Sequence, residues 1–440
     1  MTKILVIGAG RSATSLIDYF LQHAATHQWQ LTVADVDKAL AESKIAGHQH
    51  AAAVGFDIQN KTERQTLIQA HDFVVSMLPA FMHGDVARDC VHFGKSMATA
   101  SYVSADMKAL DVMAKEKGLI LINECGLDPG LDHASAMQMI DQIHAAGGKI
   151  TTFKSYCGGL VAPQSNDNPW GYKFSWNPRN VVVAGQGTAQ YLTDGQLRFI
   201  PYNRLFKQTE SINVEGYGQF DAYANRDSVG YKDIYHLKDV QTMLRGTLRQ
   251  AGYCKAWQVL IQLGLTDDTS KISNTDQLTY ARLVQSFLPA SAMPLKEQVK
   301  KMMGENWDAG VEEKLDYLGL FSDKKIAIKE GTPAQILQAL LEEKWLLKAD
   351  DKDMIVMQHQ IIYRDQNNQE KHMHSSLVLE GKNQQHTAMA LTVGLPLAIT
   401  VKNYLTKKFK LSGVQIPTNK SIYEPMLAEL SQLGIKFIES

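Results

Sequence analysis

The segment that begins at Lys3, KILVIGAGRSATSLIDYF, constrains the fold more than any other part of the chain. A β-branched run closes on two glycines, and Leu16, Ile17 and Phe20 follow at helical spacing, so strand, turn and helix are predicted in that order. Gly8, Gly10 and Ala13, with Arg11 and Ser12 between them, fit G-x-G-x-x-G/A in the context that dinucleotide binding requires. Gly8 permits the tight turn, Gly10 lets the backbone approach a pyrophosphate, and Ala13 keeps helix and strand close. Amide groups and the positive helix end then receive the phosphates. The bland alternative, a glycine turn that binds nothing, does not account for strand, spacing and helix together. The second strand, QLTVADVD, reaches Asp35, whose carboxylate suits the ribose hydroxyls of NAD and repels the 2′-phosphate of NADP. NAD is the expected cofactor, with NADP as the alternative because Arg11 and Lys38 bring positive charge to the same ribose.

Further apolar runs at Phe73 to Met77, KSMATASY and GLILINECG end on small or polar residues and alternate with helical stretches, as in a Rossmann-type doubly wound parallel sheet. Beyond Asp132 the rhythm changes. TFKSYCGG, NVVVAG, the runs around Tyr217 and Tyr223, MIVMQHQIIY and MHSSLVLEG read as antiparallel strands of a mixed α/β domain. PLKEQVKKMMGENW, VEEKLDYLGL and PAQILQALLEEKWLL are helical in period and form an insertion. The expected fold class is α/β in three parts. These are a dinucleotide domain over 1–131 rejoined by 386–440, a mixed domain over 132–250 and 350–385, and a helical domain over 251–349. A chain of 440 residues is long enough for two or three cores.

Lys plus Arg number 45 and Asp plus Glu 46, so no net field recruits nucleic acid or an anionic membrane, and a small-molecule ligand is expected. Cys90, Cys125, Cys157 and Cys254 stand far apart, without the spacing of a metal site or a disulfide framework. No metal is expected. No run comes near the roughly 18 apolar residues of a membrane span, and the chain reads as cytoplasmic.

Polar residues cluster where the helical and strand patterns do not require them: Ser101-Tyr102, the stretch Gly126 to His133 around Asp128, and SYCGGLVAPQSNDNPWGYKFSW, which reads as a functional loop. Two arginine segments, Asn225 to Ser228 and Arg245 to Arg249, suit bidentate capture of carboxylates. Each has a bland alternative. Asp128 is placed to cap a helix beginning near Leu131, Arg245 and Arg249 could be solvated surface charges, Cys157 a small buried hydrophobe, and His133 a packing residue at a helix start.

ASYVS, ECGLDPGLDH, SYCGGLVAPQSNDNPWGYKFSW, ANRDS, RGTLR, TVGLPLAI and GVQIPT resemble, in the same order, segments of the saccharopine dehydrogenase and saccharopine reductase family in its glutamate-forming branch. The resemblance spans nearly the whole chain. It implies oxidation of saccharopine, a secondary amine, to an imine that water splits into glutamate and 2-aminoadipate 6-semialdehyde, a step of lysine metabolism. It also implies that Ser101, Tyr102, Asp128, Arg226, Thr247, Leu248 and Arg249 bind substrate. By the same analogy Ala100, Ser101, Leu127, Asp128, Pro129 and Asn177 line the cofactor, and Asp57, Ile58 and Val75 join Gly8 to Ala13 and Asp35 in the dinucleotide site. The family's usual Pro-Ala-Pro-Glu is here Val161-Ala162-Pro163-Gln164, its Tyr-Pro-Asn-Arg is Tyr223-Ala224-Asn225-Arg226, and Gln250 stands where an aromatic is common.

Such a substrate carries three carboxylates, so Arg226 and Arg249 would hold two of them and orient the reacting carbon. Asp128 is the candidate to stabilise the ammonium or to relay its proton. Two alternatives are an oxidoreductase acting on another imine, such as a carboxylated polyamine, and a nucleotide-sensing protein without turnover. Partners are a small amino-acid substrate, neither nucleic acid nor membrane, with a homodimer as one candidate assembly.

Overall fold

A computed structural model describes residues 1–440, which divide into two compact units: 1–148 with 381–438, and 149–380 with 439–440. The helical passage 251–349 falls inside the second of these.

The first unit is built on a parallel sheet. Its strands are β1 (Thr2–Ile7), β2 (Trp29–Asp35), β3 (Ala51–Gly55), β4 (Phe73–Ser76), β5 (Ser96–Thr99), β6 (Ile120–Ile122) and the late strand Gly413–Gln415. They lie in the order Gly413–Gln415, β6, β5, β4, β1, β2, β3, so the chain reverses direction across the sheet between β1 and β4. In open α/β sheets ligands bind beyond the carboxyl ends of the strands at such a reversal. Leu16, Ile17 and Phe20 of the helix Thr14–His27 are buried, as the period required, and each contributes roughly 1.5–3 kcal/mol.

The helix Ala388–Leu405 is long and apolar enough to cross a membrane by length and composition, contrary to the expectation that no run comes near; 78% of it is buried inside the protein. It packs on the helix Thr14–His27 and is a core helix. Its length escapes a reading by apolar runs because Thr392, Pro396 and Thr400 interrupt it, although all three are buried.

The second unit carries a mixed sheet. Its strands include β7 (Lys149–Val161), β8 (Thr188–Thr193), β9 (Gln196–Pro201), β10 (Glu210–Val214), β11 (Gly218–Ala224) and β12 (Thr242–Gln250). The sheet order is β10, β11, β12, β7, Asp353–Arg364, Glu370–Glu380 and Ile438–Glu439, with β8 and β9 forming a hairpin against β12. TFKSYCGG lies within β7, which runs parallel to β12 and antiparallel to Asp353–Arg364, where only antiparallel pairing was expected.

NVVVAG is not a strand. Asn177 accepts the Arg179 N–H and Pro178 opens the helix Pro178–Val182, so a helix start overrides three β-branched valines. The long loop also packs inward: Trp170, Tyr172 and Phe174 are buried against Trp345, with Trp170 and Tyr172 also against Tyr253. Its aromatic richness is core, not a surface loop.

Candidate active site

The glycine turn has the shape a dinucleotide needs. Gly8 has φ +101°, and a Cβ on it would lie 2.9 Å from the Met77 carbonyl oxygen, so only glycine fits. Gly10 is different. Its φ is −62° and a Cβ there would meet nothing within 4 Å, so the protein's own packing does not demand glycine. Clear space beside a helix start is what an approaching pyrophosphate requires, and the residues fit that group. The turn Arg11–Ala13 follows, with the Ala13 N–H bonded to the Gly10 carbonyl, and leads into Thr14–His27.

Asp35 ends β2 as expected, but its carboxylate is engaged by the protein. Oδ2 accepts the Ala9 N–H at 2.7 Å and Oδ1 the Asp37 N–H at 3.0 Å. Asp57 and Ile58 follow β3. The Ile58 carbonyl accepts from Arg64 Nη1 at 2.8 Å, while Arg64 Nε is paired with Asp89 at 2.6 Å in a buried bridge that fixes the segment. Val75 lies wholly inside β4 and offers no surface.

At the ends of β5 and β6 the structure joins two of the substrate candidates. The Tyr102 hydroxyl donates to Asp128 Oδ1 at 3.1 Å, and both side chains retain solvent contact. Asp128 is not the helix cap: Gly130 stands at that position before Leu131–Ala145, and Asp132 Oδ1 accepts the Gly130 N–H at 2.6 Å. The Gly126 N–H bonds the Pro129 carbonyl, which closes the loop carrying Leu127 and Asp128. Beneath it, Glu124 accepts the Val103 N–H with one oxygen and meets His133 Nε2 at 2.9 Å with the other. Asp132 Oδ2 is 3.6 Å from the second His133 nitrogen. His133 is thus buried between carboxylates and is more than a packing residue.

Ala100 adjoins this loop, since a Cβ on Gly126 would come within 3.0 Å of it. Ser101 contacts a residue the sequence reading passed over. His83 Nε2 lies 2.8 Å from Ser101 Oγ and 3.2 Å from Thr99 Oγ1, and its Nδ1 lies 2.9 Å from Ser76 Oγ. The available signal was a histidine in SMLPAFMH, just past the carboxyl end of β4.

In the second unit, β11 and β12 pair with Tyr223 opposite Thr247. Thr247 Oγ1 donates to Asn225 Oδ1 at 2.7 Å, which ties the two arginine segments together. Arg245 and Arg249 lie on this strand, not on a helix, and neither is a surface charge. Arg245 stacks over Tyr231, 4.2 Å from the ring centre. The Arg249 guanidinium sits 5.4, 5.8 and 5.5 Å from the ring centres of Tyr172, Tyr223 and Tyr253. Its hydrogen bonds run to the Leu248 carbonyl and the Tyr223 hydroxyl, and its buried Nε meets no acceptor.

Burial pushes the phenols of Tyr172 and Tyr253 above their ordinary range, so they stay neutral and do not balance the cation. Arg226 is exposed at the end of its segment. The Leu248 side chain belongs to the core, and Asn177 caps its short helix within the same unit. All four cysteines are buried, Cys157 among them, and none forms a disulfide; no three His, Cys, Asp or Glu side chains are grouped to hold a metal.

Residues 4–122 match the saccharopine dehydrogenase NADP binding domain, and residues 126–435 the saccharopine dehydrogenase C-terminal domain. The chain is 33% identical over 439 residues to saccharopine dehydrogenase [NADP(+), L-glutamate-forming] of Pyricularia oryzae, covering 98% of this chain and 96% of that one. It is similar to the apo structure of the Saccharomyces cerevisiae saccharopine dehydrogenase (L-Glu forming), with a TM-score of 0.90 and 31% identity over 100% and 99% of the two chains. A homospermidine synthase from Legionella pneumophila shares the fold alone, at 8% identity and a TM-score of 0.59 over 100% and 91% of the chains. The family model and the fungal names favour NADP over the NAD that Asp35 suggested.

Proposed function

The chain belongs to the saccharopine dehydrogenase family, and from that premise we propose that it interconverts saccharopine with L-glutamate and 2-aminoadipate 6-semialdehyde by hydride transfer at the C–N bond. It is an oxidoreductase of CH–NH groups that uses a nicotinamide dinucleotide and an amino-acid substrate. When bound, the dinucleotide accepts or returns the hydride.

The chain's own residues bind and orient. Arg249 takes one substrate carboxylate in a dry site and Arg226 a second at the surface, while Thr247 is held by Asn225. Asp128, aligned by the Tyr102 hydroxyl, stabilises the substrate ammonium and passes its proton to water.

The observation that carries this reading is the Arg249 guanidinium, buried among neutral phenols with one nitrogen unmet. Burying an unbalanced cation costs several kcal/mol, roughly, and a carboxylate-bearing substrate answers it. A carboxylated polyamine would bring further positive charge beside the buried cation, and a cofactor sensor needs no such fork.

NADP is the primary dinucleotide in this reading. Asp35 is engaged by Ala9 and Asp37, and the exposed Arg11 and Lys38 supply charge for a 2′-phosphate. Four buried cysteines without a disulfide suit the reducing cytoplasm, where we place the protein. The helical passage 251–349 is taken as a third functional part of the chain.

Steady-state turnover of saccharopine with each dinucleotide tests both claims. Glutamate and semialdehyde should form, with the higher kcat/KM for NADP. Turnover of a diamine-derived imine without turnover of saccharopine overturns the substrate, and a many-fold NAD preference returns the cofactor choice to Asp35.

A further inference from the structure

His83 bridges the carboxyl ends of two adjacent strands, since Ser76 of β4 and Thr99 of β5 are register partners and Ser101 follows two residues on. The ring is 3% exposed, and burial pushes its pKa down to about 4, so it is neutral near pH 7. A neutral imidazole has one N–H and one lone pair.

Thr99 Oγ1 accepts the Ser101 N–H at 3.3 Å and lies 3.2 Å from His83 Nε2. In the tautomer whose Nδ1–H points to Ser76 Oγ, 2.9 Å away, the ring lone pair lies on Nε2. Of the two hydroxyls that face this one lone pair, Ser101 is the nearer, at 2.8 Å against 3.2 Å for Thr99, and is its donor in this tautomer. Ser76 is fully buried, so the chain of hydrogen bonds ends inside the protein and offers no proton path to water. It orients a group and does not shuttle a proton.

We propose that His83 is a positioning residue for the reaction, one that carries its proton on Nδ1, accepts a hydrogen bond from the Ser101 hydroxyl at Nε2 and so presents Ser101 to the ligand as a hydrogen-bond acceptor. The main chain of Ser101 is fixed too, by Thr99 on its N–H and by the Glu124 N–H on its carbonyl, which leaves the hydroxyl one arrangement. Its lone pairs suit a ligand N–H, from either the nicotinamide carboxamide or the substrate amine. The inference rests on the proposed function and on Ser101 lying in its ligand site, as the family resemblance implies.

His83→Asn keeps an amide near the Nδ1 position and loses the reach to Ser101, whereas His83→Gln keeps an amide near Nε2. In the full-length enzyme, His83→Asn and Ser101→Ala should each lower kcat/KM about ten-fold. The double variant should be no worse than Ser101→Ala, and His83→Gln should stay within about three-fold of wild type. A rise in the dinucleotide Kd, read by fluorescence titration, assigns the N–H to the carboxamide. A rise in substrate KM with that Kd unchanged assigns it to the amine.

Wild-type activity in Ser101→Ala removes Ser101 from the site, and the inference falls with that reading. An impaired Ser101→Ala beside an unimpaired His83→Asn, or losses that multiply in the double variant, overturns the inference alone. Nitrogen NMR of the unmodified enzyme is independent of how the variants fold. It should show His83 protonated on Nδ1, and protonation on Nε2 overturns the proposal.

Discussion

In the proposed site the first unit offers an anion its backbone: Gly8 to Ala13 are consecutive, carry one exposed side-chain charge in Arg11, and shape a turn before a helix. The second offers it a side chain held among side chains. Arg249 comes from β12, Tyr223 from β11, Tyr172 from the segment beyond β7, and Tyr253 from the helix after β12. The turn adds no buried formal charge to the fold. The cage buries one, and with it a desolvation cost that the turn does not have. On the proposed reading the two regions part along the usual trade between stability and function: the first is available at little cost, and the second gives up folding energy for binding.

The largest test of that contrast is Arg249→Met. Substrate kcat/KM should fall on the order of a thousand-fold, about 4 kcal/mol, while the thermal midpoint holds or rises because the replaced group was a buried cation. Retained turnover, or a sharp loss of stability, would show that the cage is structural.

Acid separates the units next. His83 binds a proton near 6.5 in the unfolded chain and only near 4 in the fold, so the unfolded state holds more protons in between. The stability due to its neutral burial is present above pH 6.5 and is lost as pH falls toward 4, a span worth roughly 3 kcal/mol. Denaturant unfolding across that range should show the loss in wild type and a smaller one in His83→Asn; equal slopes refute it. Arg249 stays charged throughout and contributes no such slope.

Gly10→Ala sharpens the comparison from the other side. The added methyl meets no protein atom, so stability should hold or gain about 0.5 kcal/mol, while the dinucleotide Kd rises roughly thirty-fold, about 2 kcal/mol. An unchanged Kd would mean that no phosphate approaches there. The smallest effect is expected at the exposed Arg226: its change to Ala should raise substrate KM about ten-fold and leave dinucleotide affinity untouched, and an unchanged KM removes it from the site.

Much of the first unit was legible. β1, β2 and β4 to β6 follow from short apolar runs ending on small or polar residues, and the glycine spacing needs no distant contact. The second unit was read less well. Three valines at 181–183 suggested a strand, yet Asn177 and Pro178 start a helix there. Tryptophan and tyrosine in a turn-rich stretch suggested a binding loop, yet Trp170 and Phe174 complete an aromatic core, and within that stretch Tyr172 alone also joins the cage.

By itself the sequence determined the parallel sheet, the dinucleotide turn and the family, because each rests on local backbone chemistry or on the order of short segments. Tertiary structure alone decided that Asp35 bonds Ala9, that Asp128 is held by Tyr102 rather than capping a helix, that His83 reaches Ser101, and that Arg249 is buried. These contacts depend on which strand ends and loops meet across the fold, and hydrophobic period carries no information about side chains that meet from distant segments.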